Sequence, residues 1–317
     1  SQTENLLSME VVGQRYNLDI FLTLALAAVL IFLVRRMLGI TQWSGPADSL
    51  CAVQQNREPL DIRVGMGSTL AAFIAASGGG SVGQYGPLVH FGATMTEVLL
   101  KYIRIKIDRR VFIACGVAGA ISAGFNAPIA GVLFAHEALL RRISVGAIGP
   151  IAVTSIVAYA ANQAFFTLEP MFSLPDMPIE LQPLIPFLIF TGVFSALTSV
   201  AYMAAIRQGR ELATRSQWSM PKLLLSCVVV VGAIGVVVPD VAGLGLQQIN
   251  QMLDAQFGLG MLLVLLAGKI FVTAYCLNTG FFGGVFGPAL FVGAATGAVV
   301  AHVAILLGLA PHLSYAL

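Results

Sequence analysis

Two segments of this sequence place residues in an order that can bind an ion without a charged side chain. They are GQYGPLVHFGA at 83–93 and GVFGPALFVGA at 284–294. Both align at a single offset of 201 residues, from 83 to 284, and the same offset pairs Gly79 with Gly280 and Tyr85 with Phe286. Each runs glycine, any residue, aromatic, glycine, proline, and then an apolar stretch. Proline suits the first turn of a helix, where it has no N–H to leave unsatisfied and its φ is already helical. Glycine beside it lets the backbone approach an ion closely. The unpaired amides of that turn carry partial positive charge along the helix axis, which makes an anion site from main chain alone. Such a site suits transport, because conduction needs binding that is favourable yet shallow, and a buried Arg or Lys would hold the anion too tightly to release it.

Other groups capable of chemistry are sparse. His136-Glu137 begins a zinc-protease HExxH, but Leu140 stands where the second histidine belongs. His90 and His302 sit singly in apolar runs and read as core residues. Cys51, Cys115, Cys227 and Cys276 are far apart in sequence, lack CxxC spacing and read as small core residues. The expectation is therefore a protein that is not an enzyme, with no metal, no cofactor and no nucleic-acid partner, and with an anion as its ligand.

The elements that must position the two segments are membrane helices. Of 317 residues, 57% are hydrophobic and only 10% charged, and the mean hydropathy is +0.87, far from a soluble domain. Crossing a bilayer takes roughly 20 apolar residues as a helix. Stretches at 63–97, 111–135, 143–168, 183–206, 223–238 and 281–310 carry no Asp, Glu, Lys or Arg between their ends. Glycine and proline are dense inside them, which predicts broken or re-entrant helices packed within protein. Cations cluster at 101–110 and 207–222, so both connections are expected on the cytoplasmic side. A repeat of this kind predicts two related halves with the ligand site at their interface. The expected division is a polar segment at 1–20, a first membrane repeat at 21–175 and a second, incomplete one at 176–317.

On these motifs the chain resembles the CLC family of chloride channels and chloride/proton exchangers. FLVRR at 32–36 leading into WSGP at 43–46 looks like the family's serine-glycine-proline helix start, with one residue fewer between glycine and proline. GQYGP resembles its Gly-x-Glu-Gly-Pro loop, GFNAPIAGVLFAHE at 124–137 its third motif, and GVFGP its Gly-x-Phe-x-Pro loop. The resemblance implies an all-α integral membrane protein, a CLC-type inverted-repeat bundle of tilted and half-spanning helices, in the cell (inner) membrane. It implies a central chloride ion held by Ser44 with the amides of Val285 and Phe286, and an outer one held around Gln84, Gly86 and Gly287. It also implies a homodimer within the lipid bilayer.

Departures from the family matter as much as the matches. The gating glutamate position is Tyr85, a phenol with an intrinsic pKa of about 10 that stays neutral at physiological pH. Tyr85 is an uncharged plug, a hydroxyl donor to the anion, or a packed aromatic. The inner proton-relay position is Ala138, while Glu137 matches the carboxylate before it, as a structural hydrogen-bond partner or a water-wire residue. Ser44 is alternatively only an N-cap. Loss of both proton carboxylates favours passive, channel-like transport; coupled exchange by another proton route and a non-conducting relative are the alternatives. Gly116, Ala120 and Gly124 recur every four residues and read as a helix-packing stripe. Measured against the family, the chain reads as trimmed at both ends, because a late tyrosine that completes the central site is not reached.

Overall fold

The computed structural model describes residues 2–54, 60–103, 108–141, 144–166, 172 and 181–306, with side chains withheld for 2–18 and 181–184. Twelve α-helices follow in order: α1 Gln2–Met37, α2 Pro46–Gln54, α3 Ile62–Ser77, α4 Tyr85–Tyr102, α5 Arg109–Phe125, α6 Pro128–Phe134, α7 Val145–Phe165, α8 Leu181–Ser216, α9 Met220–Val237, α10 Leu246–Leu253, α11 Leu259–Asn278 and α12 Phe286–Leu306. A π-helical turn at Ala135–Leu140 continues α6, and a short 3-10 turn lies at Pro239–Val241.

Among the described residues six helical stretches are long and apolar enough to cross a membrane: Asp19–Met37, Val145–Phe165, Ile185–Ser216, Met220–Val237, Leu259–Asn278 and Phe286–Leu306. The stretches at 63–97 and 111–135 are each broken into two helices, as the glycines and prolines predict. With 9 and 7 residues, α2 and α6 are far too short to span. Two of these spans fall outside the uncharged stretches: Asp19–Met37, which includes Arg35 and Arg36, and Leu259–Asn278. The run at Leu259–Asn278 contains Lys269, and a search for uncharged stretches passes over it.

The chain forms two compact units that do not follow chain order: residues 1–32, 74–82 and 172–317 in one, and 33–73 and 83–171 in the other. In the second, α5 is central. Its apolar residues Ile113, Ala114, Val117 and Ala118 are wholly buried. The predicted small-residue stripe faces α4: a Cβ at Gly116 would strike the Gly92 carbonyl and the Thr96 hydroxyl, and one at Gly124 would strike Leu88. Close approach of this kind is how helices gain contact where no hydrophobic force separates them from lipid. Hydrogen bonds add to it. Ser122 Oγ donates to the Ser155 carbonyl (2.6 Å), and Ser155 Oγ to that of Pro128 (2.7 Å). At the end of α4, buried Glu97 pairs with Arg109 at the start of α5.

In the first unit, α11 contacts α12, α8 and α9. Here the reading of the cysteines as small core residues holds for Cys227 and Cys276, both wholly buried. Cys227 of α9 and Cys276 of α11, 49 residues apart in sequence, bring their Sγ atoms to 3.9 Å as free thiols. Helix packing joins what spacing kept separate. By contrast, the apolar window of α8 is only 6% buried, the signature of a face that meets acyl chains or another protein surface.

The internal repeat is visible in each copy separately. Helices α3 and α11 end at Ser77 and Asn278, each followed by a left-handed glycine, Gly79 (φ 86°) and Gly280 (φ 107°). The next helices begin at Tyr85 and Phe286. Every one of these pairs keeps the 201-residue offset.

Candidate anion-binding helix starts

In the first copy, Gln84 has helical φ/ψ and its carbonyl accepts the first intrahelical bond, from Leu88 N at 3.1 Å. Tyr85 and Gly86 therefore lie ahead of the first helical donor, and Pro87 has no N–H. The motif thus presents first-turn amides by construction. The Tyr85 side chain is buried, at 3% exposure, and its ring stacks on Phe125 with centroids 4.0 Å apart and planes 21° apart. Phe125 ends α5, and Asn126 turns the chain there in a left-handed conformation (φ 54°), which Asn tolerates better than most residues. Two side chains hold that turn: Asn162 Nδ2 donates to the Ala123 carbonyl (2.8 Å) and Gln163 Nε2 to Asn126 Oδ1 (2.7 Å). Of the three roles open to Tyr85, the packed aromatic is the one its surroundings display.

The segment around Ser44 is built differently from expectation. Arg35, in the last turn of α1, donates through Nε to the Ile40 carbonyl (3.0 Å) and through Nη2 to that of Thr41 (2.5 Å), with its guanidinium 5.9 Å from the Trp43 ring centre. This fixes the approach to α2. The Ser44 amide donates to Ser68 Oγ at 2.9 Å, and the Gly45 amide to Asp48 Oδ2 at 2.8 Å. Asp48, at the third helical position, thus reaches back to the amide before the helix as the acidic half of a capping box does. Ser44 is not the residue capping α2, and a carboxylate rather than an open amide stands at this start.

Glu137 lies on the π-helical turn, exposed, and bonds to no described residue. Its neighbour His136 directs Nδ1 at the Val132 carbonyl (2.9 Å), and His302 does the same with Ala298 (3.1 Å). His90 is buried with Nδ1 2.7 Å from Ser49 Oγ, which ties α4 to α2. Among the described residues no three His, Cys, Asp or Glu side chains group as metal ligands.

The second copy belongs to the other unit. Ala289 N donates to the Val285 carbonyl at 3.0 Å, the counterpart of Leu88 and Gln84. Phe286 and Gly287 therefore precede the first helical donor, and Pro288 again lacks one. The Val285 carbonyl also accepts from the Tyr202 hydroxyl of α8 at 3.0 Å, and Asn278 Nδ2 donates to the Ile206 carbonyl on the same helix at 3.0 Å. Both ends of the loop between α11 and α12 are anchored to α8.

A model of the family described as voltage gated chloride channel matches residues 24–317. The chain belongs to the CLC family. Among CLC relatives, the H(+)/Cl(-) exchange transporter ClcA of Vibrio cholerae is 31% identical over 303 residues, covering 87% of this chain and 63% of its own length. The voltage-gated ClC-type chloride channel ClcB of Escherichia coli is 24% identical over 257 residues, covering 80% and 60%. Among solved CLC structures, a slow cyanobacterial Cl-/H+ antiporter superposes with a TM-score of 0.80 at 18% identity, over 94% of this chain and 71% of that one. The fold is thus the CLC-type membrane fold, and the chain spans about three fifths of the length of the curated CLC relatives it matches.

Sequence reasoning missed several residues that shape these CLC helix starts. Phe125 stood inside a recognised motif without a role, and Asp48 offered the signal of an acid in a first helical turn. Tyr202 gave none, being one tyrosine in an apolar run.

Proposed function

We propose that this CLC chain forms the pathway of a membrane transport protein that carries chloride or a similar small anion passively. The observation that carries this reading is the repeated helix start at Tyr85 and Phe286, each with two first-turn amides and a donor-less proline. Partial charge of this kind attracts an anion without trapping it. In the proposed pathway the amides of Val285 and Phe286, with the Ser44 hydroxyl, serve a central anion. Those around Gln84, Gly86 and Gly287 serve an outer one. Tyr85, packed on Phe125, narrows the path with its ring, and two copies of the chain pair in the inner membrane.

Passive transport follows from the residues at the two proton-handling positions. Tyr85 and Ala138 cannot carry protons at physiological pH, and exposed Glu137 has no carboxylate neighbour in its own turn. Reconstitution into liposomes with simultaneous chloride and pH recording tests the reading. Chloride flux without proton movement is expected, and chloride-driven proton uptake at a fixed stoichiometry overturns it. Coupled exchange is the second reading, favoured by the likeness to ClcA, an H(+)/Cl(-) exchange transporter, and by a buried hydroxyl–imidazole pair, Ser49 and His90, available to an alternative proton route.

A further inference from the structure

Lys269 is fully buried, with 0% exposure, near the middle of a membrane-length helix. Its Nζ donates to the carbonyls of Val241 (3.1 Å) and Gly243 (2.7 Å) and lies 4.7 Å from the ring centre of Phe291. Gly245 packs against the same group: a Cβ there would come within 3.2 Å of Nζ. Two carbonyl dipoles and a π face solvate the ammonium, but none of them neutralises it. Among the described residues Lys269 has no ion-pair partner. The acid adjoining Val241, Asp240, instead accepts from Gln248 Nε2 at 3.1 Å. An intramembrane charge is expensive, and one left without a countercharge calls for a functional reason.

Its position supplies one. Phe291 stands on α12 five residues after Phe286, about 7.5 Å along the axis from the helix start. The amino group thus lies against α12 within its first two turns. Gly243 passes the restraint on, its amide donating to the Gly79 carbonyl at 2.9 Å. One turn along α11, Thr273 Oγ1 meets Ser81 Oγ at 2.9 Å.

We propose that Lys269 is a specificity-determining residue of the anion pathway, a buried positive charge close to the first turns of α12 that raises anion affinity and disfavours cations. This rests on the pathway reading above. A direct ammonium ligand would trap the anion. A charge on the order of 10 Å away, locked onto carbonyls, instead tightens binding by about tenfold at an effective dielectric constant near 20. The helix-start amides still choose where the anion sits.

Three substitutions separate charge from scaffold. Lys269→Arg keeps the charge, Lys269→Gln keeps hydrogen bonding without it, and Phe291→Glu leaves the lysine in place but sets a carboxylate against it. Chloride flux into liposomes is read at varied chloride, with the chloride-to-potassium permeability ratio from reversal potentials. Isothermal titration of chloride onto the purified protein gives the same affinity without requiring flux. Lys269→Gln and Phe291→Glu are expected to weaken apparent chloride affinity about tenfold and lower the permeability ratio, at nearly unchanged maximal flux, while Lys269→Arg stays within about threefold of wild type. Either neutralised variant, if it folds, decides the matter. Wild-type affinity in that variant overturns the proposal, as does a loss of maximal flux at unchanged affinity, which marks a purely structural lysine. A wild-type protein that neither binds nor passes chloride overturns the pathway reading itself, a result distinct from both.

Discussion

The ring of Tyr85 lies 4.0 Å from that of Phe125, nearly parallel to it, so the residue proposed to narrow the path is stacked on the end of α5. Burial and stacking hold it, where a carboxylate in that place would compete for the amides beside it. Tyr85→Ala is expected to cost about 3 kcal/mol of stability from lost ring burial and stacking and to raise chloride flux. Tyr85→Phe, keeping the ring, should leave both near wild type. Thermal unfolding in detergent and liposome flux measure the two effects. A Tyr85→Ala protein that folds and passes no more chloride than wild type removes Tyr85 from the pathway.

Tyr85→Glu places a titratable group at the same helix start. Ionised, the carboxylate occupies the first-turn amides in competition with chloride; protonated, it releases them. Flux should therefore rise as pH falls through the glutamate range, about 4.3 when unperturbed, whereas the wild type shows no such step. Flux recorded at a series of pH values checks this.

Asp48 accepts from the Gly45 amide at 2.8 Å and so puts negative charge beside Ser44. Asp48→Ala is expected to cost about 1 kcal/mol as a lost cap and, by freeing that amide, to tighten chloride binding. Titration calorimetry with chloride reads the change. Unchanged or weaker binding in a folded Asp48→Ala protein counts against Ser44 as a pathway residue.

Gly92 and Gly116 face one another across α4 and α5 so closely that a Cβ on either would meet the other's carbonyl oxygen. Alanine at either site is expected to destabilise by about 1–3 kcal/mol through overpacking. Gly149, inside α7, has nothing within 4 Å of an added Cβ, and Gly149→Ala should gain up to about 1 kcal/mol from helix propensity. Opposite shifts in melting temperature are the expected readout.

Glu97 is buried against Arg109, and Glu97→Ala leaves that guanidinium partly buried without its carboxylate, at a cost of about 3 kcal/mol. Replacing both residues by apolar ones should recover much of the loss. A double-mutant cycle on unfolding free energies measures the coupling.

How much of this was legible beforehand depended on whether the cause was local. Helix starts at Tyr85 and Phe286 follow from glycine and proline at fixed offsets, because φ preferences and missing donors act within a few residues. The packing stripe at Gly116, Ala120 and Gly124 was readable because helical period puts those positions on one face. The broken spans, the membrane class and the repeat are of the same kind. What tertiary structure alone decided are meetings between side chains distant in sequence: Tyr85 on Phe125, Asn162 and Gln163 on the turn at 123–126, Tyr202 on the Val285 carbonyl, Cys227 beside Cys276. Lys269 marks the boundary most clearly. In sequence it is one charge that hides a membrane span from a search for uncharged runs. The fold turns it into a buried cation on two carbonyls and a ring, since only the packing of α11 against its neighbours determines what surrounds a side chain in the middle of a helix.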